Sequence, residues 1–164
     1  VVIPAPINSA LRAAAMMLFV VVIAACSRSA NDNVGLTGVG NTGAGAPGSQ
    51  QEFIVTVGDR VFFTTDSSSL TTEAMATLDK QAQWLNQYGN YRIMIEGHAD
   101  ERGTREYNIA LGARRASVVV NYLVSRGVNA QRITSQSFGK ERPVAICNDI
   151  SCWSQNRRAV TVVQ

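Results

Sequence analysis

Residues 27–50 restrict what this chain can fold into more than any other stretch. The segment carries Gly35, Gly38, Gly40, Gly43, Gly45 and Gly48 among Ser, Asn and Thr, with few bulky apolar side chains. Such a composition buries too little surface to offset the entropy lost on ordering. A core must therefore come from residues 52–164, which is room for one domain. A flexible chain of this length has an r.m.s. reach of about 27 Å and stretches to roughly 80 Å. A domain of this size has a radius of gyration of about 13 Å. Residues 26–51 thus read as a Gly-rich tether that lets the domain work well away from whatever holds its other end.

What holds that end is suggested by Arg12 and the apolar run Ala13–Ala25. The run is short of the roughly 20 residues a membrane span needs. A basic residue, a short apolar core and small residues before a cut make a signal peptide. Ile23-Ala24-Ala25-Cys26 resembles a bacterial lipobox, which implies that residues 1–25 are removed and that Cys26 becomes the lipidated first residue. An ordinary export signal, or an uncleaved anchor with an incidental cysteine, is the alternative. Each buried acyl methylene contributes about 0.8 kcal/mol, so more than one chain gives stable anchoring.

The formal charge of +3 falls to about +2 without Arg12, too small and too mixed in sign for a nucleic-acid partner. Cys147 and Cys152 have four residues between them and, in an exported protein, read as a local disulfide worth roughly 2 kcal/mol. A redox CxxC needs a tighter spacing, and zinc needs two further ligands that the sequence does not supply. No metal and no cofactor are expected.

Phe53–Val57 and Arg60–Phe63, divided by Gly58-Asp59, have the composition of strands. A polar loop with Asp66 follows. Thr71 or Thr72 then caps a helix with Glu73 in its first turn and Met75, Leu78, Leu85 and Tyr88 on its apolar face. Gly89-Asn90 stops it, and Tyr91–Glu96 alternates as a strand. A second helix runs to about Arg126, ended by Gly127, with Val118, Val119, Tyr122 and Leu123 as its buried stripe. Ile133–Phe138 is a short strand, Ala145–Gln155 a loop with Trp153, and Arg158–Val163 a last strand. This order specifies an α+β sandwich, a mixed sheet with helices packed on one face.

Charge concentrates in Ile95–Ala116, where a strand end, a Gly-bearing loop and the start of a helix follow one another. Such a strand end is a natural place for binding groups. Thr104, Asn108, Leu111 and Arg115 share one helical face. On an unbroken helix Arg115 lies about 16 Å beyond Thr104, too far to share a small ligand with Asp100. A break near Leu111-Gly112 is therefore expected, folding the first turns back and freeing backbone N–H groups beside Arg115. Arg115 then offers a planar fork to a carboxylate and Asp100 an acceptor to an ammonium. Alternatively Asp100 and Arg115 simply pair with each other and hold the loop. His98 has no third partner for a metal and no aligned nucleophile; its expected role is structural, one ring nitrogen satisfying a loop carbonyl. Asn156-Arg157-Arg158 is either support for the site or a solvated edge.

GHADERGTREYN at Gly97–Asn108, ALGARRA at Ala110–Ala116, FGKERP at Phe138–Pro143 and NRRAVTV at Asn156–Val162 resemble the OmpA-like peptidoglycan-binding domain family from about Val57 onward. The resemblance implies a non-enzymatic module that grips the peptidoglycan stem peptide through meso-diaminopimelate. Asp100 matches the family's ligand-binding aspartate and Arg115 its paired arginine. Arg102, Thr104, Asn108 and Leu111 match positions around the same pocket, and Asp66 the aspartate after the first strand. Thr64-Thr65 departs from the family, where Gly or Asp and then an aromatic are usual, which implies a rearranged rim. The lipobox and tether point to the lipid-anchored branch, and so to an outer-membrane anchor facing the periplasm and to partnership with TolB and other Tol components. The competing readings are a protein-interaction module without wall affinity and a cell-wall hydrolase. Asp100 and Glu101 are adjacent and diverge on a regular backbone, which disfavours paired acid/base work.

Overall fold

The structure, a computed structural model, describes residues 45–164. The expected signal peptide, the expected lipidation site Cys26 and most of the expected tether lie outside the described residues. No helix among the described residues is long and apolar enough to cross a membrane.

The domain begins with α1 (Gln50–Glu52), which runs on as a π-helical segment, Phe53–Gly58. There follow β1 (Arg60–Phe62), α2 (Thr72–Gln87), β2 (Ile93–His98) and α3 (Arg105–Ser125). A 3₁₀ turn (Ala130–Arg132), β3 (Ile133–Gly139), α4 (Ile150–Asn156) and β4 (Arg158–Val163) complete it. The sheet order is β1-β4-β2-β3, with β2 parallel to β3 and the other pairs antiparallel. A parallel neighbour needs a crossover, and α3 supplies it. Val61, Ile93, Ile95 and Ala159 point from the sheet into one core with Leu78, Leu85, Val119 and Leu123 of α2 and α3. The mixed sheet with helices on one face is as the sequence indicates.

Three local expectations are corrected. Phe53–Val57 is helical rather than extended. Its β-branched composition favours a strand, but propensity yields to packing: Phe53 is buried against Trp84, with ring centroids 4.9 Å apart, and Ile54 and Val55 stay exposed. Residues 48–51 have the composition of the tether, yet they are held by the domain. Gly48 O accepts the Tyr91 hydroxyl at 2.7 Å, and Glu52 Oε2 accepts both Gly48 N–H at 2.7 Å and the Trp84 indole N–H at 2.8 Å. The loop expected over Ala145–Gln155 contains α4. Its N-cap Asp149 accepts the Ser151 N–H at 2.8 Å, a polar signal at odds with no apolar period.

The longer helices end where their sequence signals stand. Thr71 caps α2 by accepting the Ala74 N–H at 3.2 Å, and Thr104 caps α3 by accepting the Tyr107 N–H at 3.2 Å. Gly127, at φ 92°, turns the chain out of α3 so that the Val128 N–H reaches Leu123 O. The helix is unbroken through Gly112, so the expected break does not exist.

Gly112 serves a different need. A Cβ on Gly97 of β2 would overlap the Gly112 carbonyl, and one on Gly112 would sit 2.8 Å from Gly97 O. Two glycines let α3 and β2 touch backbone to backbone.

Candidate ligand-binding site

At the C-terminal end of β2 a cavity of about 250 Å³ opens between the β1–α2 loop, the β2–α3 loop and the first turns of α3. Of the residues singled out in the sequence, it gathers Asp66, Asp100, Arg102, Asn108, Leu111 and Arg115; Thr65, Gly103 and Tyr107 complete its lining. Thr104 is not in the lining, because its hydroxyl is committed to the α3 cap.

Arg115 is wholly buried at the base of this site. No break is required to bring it there, because helical side chains lean toward the helix N-terminus and arginine is long. Its Nε–H donates to Ser67 O at 2.8 Å, Nη1 to His98 O at 2.8 Å and Nη2 to Thr64 O at 3.2 Å. It therefore staples the β1–α2 loop to the end of β2. A guanidinium has five N–H bonds, so one on each terminal nitrogen is left for another acceptor. Burial pushes its pKa down to about 10, opposed by Asp100 and reinforced by Arg157; it stays charged at neutral pH.

Asp100 and Arg115 do not pair with each other. Asp100 is forked by Arg102, from Nε at 3.1 Å and Nη2 at 2.7 Å, and Arg157 Nη1 approaches it at 3.4 Å. Burial alone would raise the Asp100 carboxyl, but the Arg102 side-chain and backbone hydrogen bonds, with Arg157, hold it below its ordinary value. It is a fixed carboxylate rather than a proton donor. Asn108 keeps the loop closed by donating to Arg102 O at 2.7 Å and Thr104 O at 3.1 Å. Lys140 bonds Glu101 O and Gly103 O from outside.

On the opposite rim, Asp66 sits at φ 55° and accepts a hydrogen bond from the Tyr107 hydroxyl. Thr64 serves through its carbonyl and Thr65 lines the cavity, so the departure from the family at these positions leaves the loop attached. Asn156-Arg157-Arg158 is support rather than a solvated edge. Arg157 links Phe63 O to Asp100, and the Asn156 amide holds Val144 and Ala145. Arg157 belongs to the Asn156-Arg157-Arg158 run that the sequence marks, whereas Tyr107 carries no periodic signal and is not marked by the sequence reading.

Cys147 and Cys152 form the expected disulfide, with Cα atoms 5.6 Å apart. Together with Asp149 they stand close enough to hold an ion, but the bond removes both sulfurs as thiolate ligands.

The His98 ring does not satisfy a loop carbonyl, contrary to expectation. It lies on the sheet face away from the helices, stacked on Phe138 at 5.6 Å, with Nε2 3.5 Å from Glu96 Oε2 and neither nitrogen in a hydrogen bond. The backbone carbonyl of His98 is the group the site uses. Burial lowers the imidazole from 6.5 to about 4, and Arg158 and Arg142 add to this. A base depressed in the fold binds its proton in the unfolded chain first, so stability falls as pH drops from about 6.5 toward 4, by on the order of 3 kcal/mol. Urea midpoints at pH 7.5 and 4.5 check this. His98→Phe should flatten most of the difference, because the Asp100 contribution is lost only at lower pH still; an unaltered pH slope in that variant would rule the imidazole out as its source.

The OmpA family model matches residues 62–157, which contain every cavity residue. The peptidoglycan-associated lipoprotein of Rhizobium meliloti (strain 1021) is 68% identical over 133 residues, 81% of this chain and 74% of that protein. The same-named protein of Agrobacterium fabrum is 57% identical over 149 residues, 90% of this chain and 84% of that one. The crystal structure of the peptidoglycan-associated lipoprotein from Burkholderia pseudomallei superposes with a TM-score of 0.63 at 43% identity, over 65% of this chain and 90% of that one. The C-terminal domain of Helicobacter pylori MotB shares the fold, with a TM-score of 0.61 at 21% identity over 65% of this chain and 84% of its own. With its motifs, its sheet order and relatives this similar, the chain belongs to the OmpA family, in the group of peptidoglycan-associated lipoproteins.

Proposed function

We propose that the chain is an outer-membrane lipoprotein, anchored through Cys26, that binds the peptidoglycan stem peptide at its meso-diaminopimelate and so links the outer membrane to the cell wall. The observation that carries this is the charge arrangement of the cavity. Two carboxylates, Asp66 and Asp100, stand over a buried guanidinium with two uncommitted N–H bonds. An amino acid bearing both an ammonium and a carboxylate complements that arrangement: the ammonium goes to the Asp rim and the carboxylate to Arg115. Asn108, Leu111 and Arg102 shape the pocket, and Thr104 acts on it through the helix cap. The names of the relatives support the wall as the source of that ligand. The same kinship supports a place in the Tol system, with TolB as a partner, in maintaining the envelope during division. The Gly-rich composition of the residues ahead of Gly48 gives the reach for the tether, and a fixed Asp100 carboxylate suits binding rather than acid catalysis.

The test is co-sedimentation of the full chain with purified peptidoglycan. Asp100→Asn keeps the shape and removes the charge, and should weaken binding roughly 10- to 100-fold, the worth of a hydrogen bond to a charged group. A folded Asp100→Asn chain that sediments as the wild type does would refute the assignment. Release of soluble muropeptides by the wild type would point to the hydrolase instead.

A further inference from the structure

The segment between β3 and β4 is more than a connection. We propose that Trp153 is a positioning residue for the Asp100 carboxylate, holding Arg102 in place, and that the Cys147–Cys152 bond braces Trp153; the consequence for binding rests on the reading given above.

The Arg102 guanidinium lies over the Trp153 ring, 4.2 Å from its centroid, while forking Asp100. Arg102 is partly exposed and stands on a loop, where a free arginine samples many rotamers. The indole face restricts it to the one that meets Asp100. Trp153 is itself fixed on the other side, where its indole N–H donates to Glu101 Oε1 at 3.0 Å. The residues on either side of Glu101 are thus tied, directly or through Arg102, to one ring.

That ring is carried by α4, a helix of seven residues, too short to persist without outside support. The support at its first turn is the disulfide, which joins Cys152, next to Trp153, to Cys147 ahead of the N-cap. Asn156 holds the last turn through Val144 and Ala145. Without the sulfur bridge, the first turn keeps the Asp149 cap and the contacts of the Trp153 ring itself, but loses its covalent tie to the chain ahead of the helix. Trp153 then moves, and Arg102 loses its backing. An exposed cation–π contact accounts for roughly a three- to fivefold effect on affinity.

The experiment takes the full chain as wild type, Trp153→Ala, Trp153→Phe and Cys147→Ser/Cys152→Ser, each checked by thermal melting. The Asp100 carboxyl is titrated by ¹³C NMR without ligand, and sedimentation with purified peptidoglycan follows. Trp153→Ala and the double serine variant should move the Asp100 titration upward, as its pairing with Arg102 loosens, and weaken wall binding three- to fivefold. Trp153→Phe, which keeps the ring, should recover most of both. An Asp100 titration unchanged in folded Trp153→Ala overturns the inference. If only the double serine variant leaves it unchanged, the brace is not the disulfide and that half falls. A titration that shifts while sedimentation holds supports the positioning role and tells against the wall-binding part of Asp100 instead.

Discussion

Arg115→Met should lower the stability of the domain by roughly 3–5 kcal/mol, because methionine fills much of the space but takes the guanidinium donors from three inward carbonyls, of which Thr64 O keeps a second partner, the Ser67 N–H. Those carbonyls, Ser67 O, His98 O and Thr64 O, belong to two separate elements, and the guanidinium is what joins them. With a urea m-value of about 1–3 kcal/mol/M, the midpoint should fall by roughly 2 M. Arg115→Lys separates the structural part from the ligand part. An ammonium keeps the charge but radiates its donors from a single nitrogen, so it cannot serve three carbonyls and still present a fork. The lysine variant should remain folded at reduced stability and sediment poorly with peptidoglycan. A wild-type midpoint for Arg115→Met would mean that the staple contributes nothing, and full wall binding by Arg115→Lys would mean that the fork is not the carboxylate site.

This double duty explains what was and was not legible in the sequence. Spacing puts Thr104, Asn108, Leu111 and Arg115 on one helical face and the family resemblance adds Asp100 to them; the structure gathers all but Thr104 in one pocket. Axial rise alone predicts too long a distance between them. An arginine that leans one to two turns back toward its helix N-terminus removes the need for a kink at Gly112. Arg132 repeats the device elsewhere, donating to Leu85 O, Tyr88 O and Tyr91 O to pin the α2–β2 connection. Neither role has a sequence signature, since a lone arginine near a turn looks like surface charge. Strand β4 has its expected limits, Arg158–Val163, because the segment is rich in β-branched residues and lies between polar flanks. The Phe53–Gly58 segment failed for the opposite reason: its composition is that of a strand, but the contact that decides it, Phe53 on Trp84, is remote in the chain. Asp66 and Asp100 stand out as charges and Arg157 within a basic pair, whereas the bonds of Tyr107 to Asp66 and of Arg157 to Asp100, and the Trp153 contacts with Glu101 and Arg102, emerge only once distant segments meet.

The second large effect is expected at Gly97. A methyl group there would overlap the Gly112 carbonyl and press on Ala116, and neither neighbour is the free end of a flexible side chain. Relief requires α3 to move off β2, which exposes a seam that includes Ala116 and Ile95 of the core. Overpacking a core costs about 1–3 kcal/mol where side chains absorb it, so a backbone-on-backbone overlap should reach the top of that range or exceed it. For a domain of this size that lowers Tm by roughly 10 °C or more. Gly112→Ala should cost less, because one of its close neighbours, Ser137 Oγ, can rotate by giving up its 2.7 Å bond to Ile109 O. The two changes act at one contact, so the double variant should fall short of the sum. Gly89→Ala is the control: a Cβ there meets only the end of Arg132 at 3.9 Å, and the change should stay within about 0.5 kcal/mol. Moving α3 also moves Arg115 relative to His98 O, so Gly97→Ala should weaken peptidoglycan binding although it touches no cavity residue. Equal calorimetric melting of Gly97→Ala and Gly89→Ala would show that close approach is not what requires glycine at this crossing.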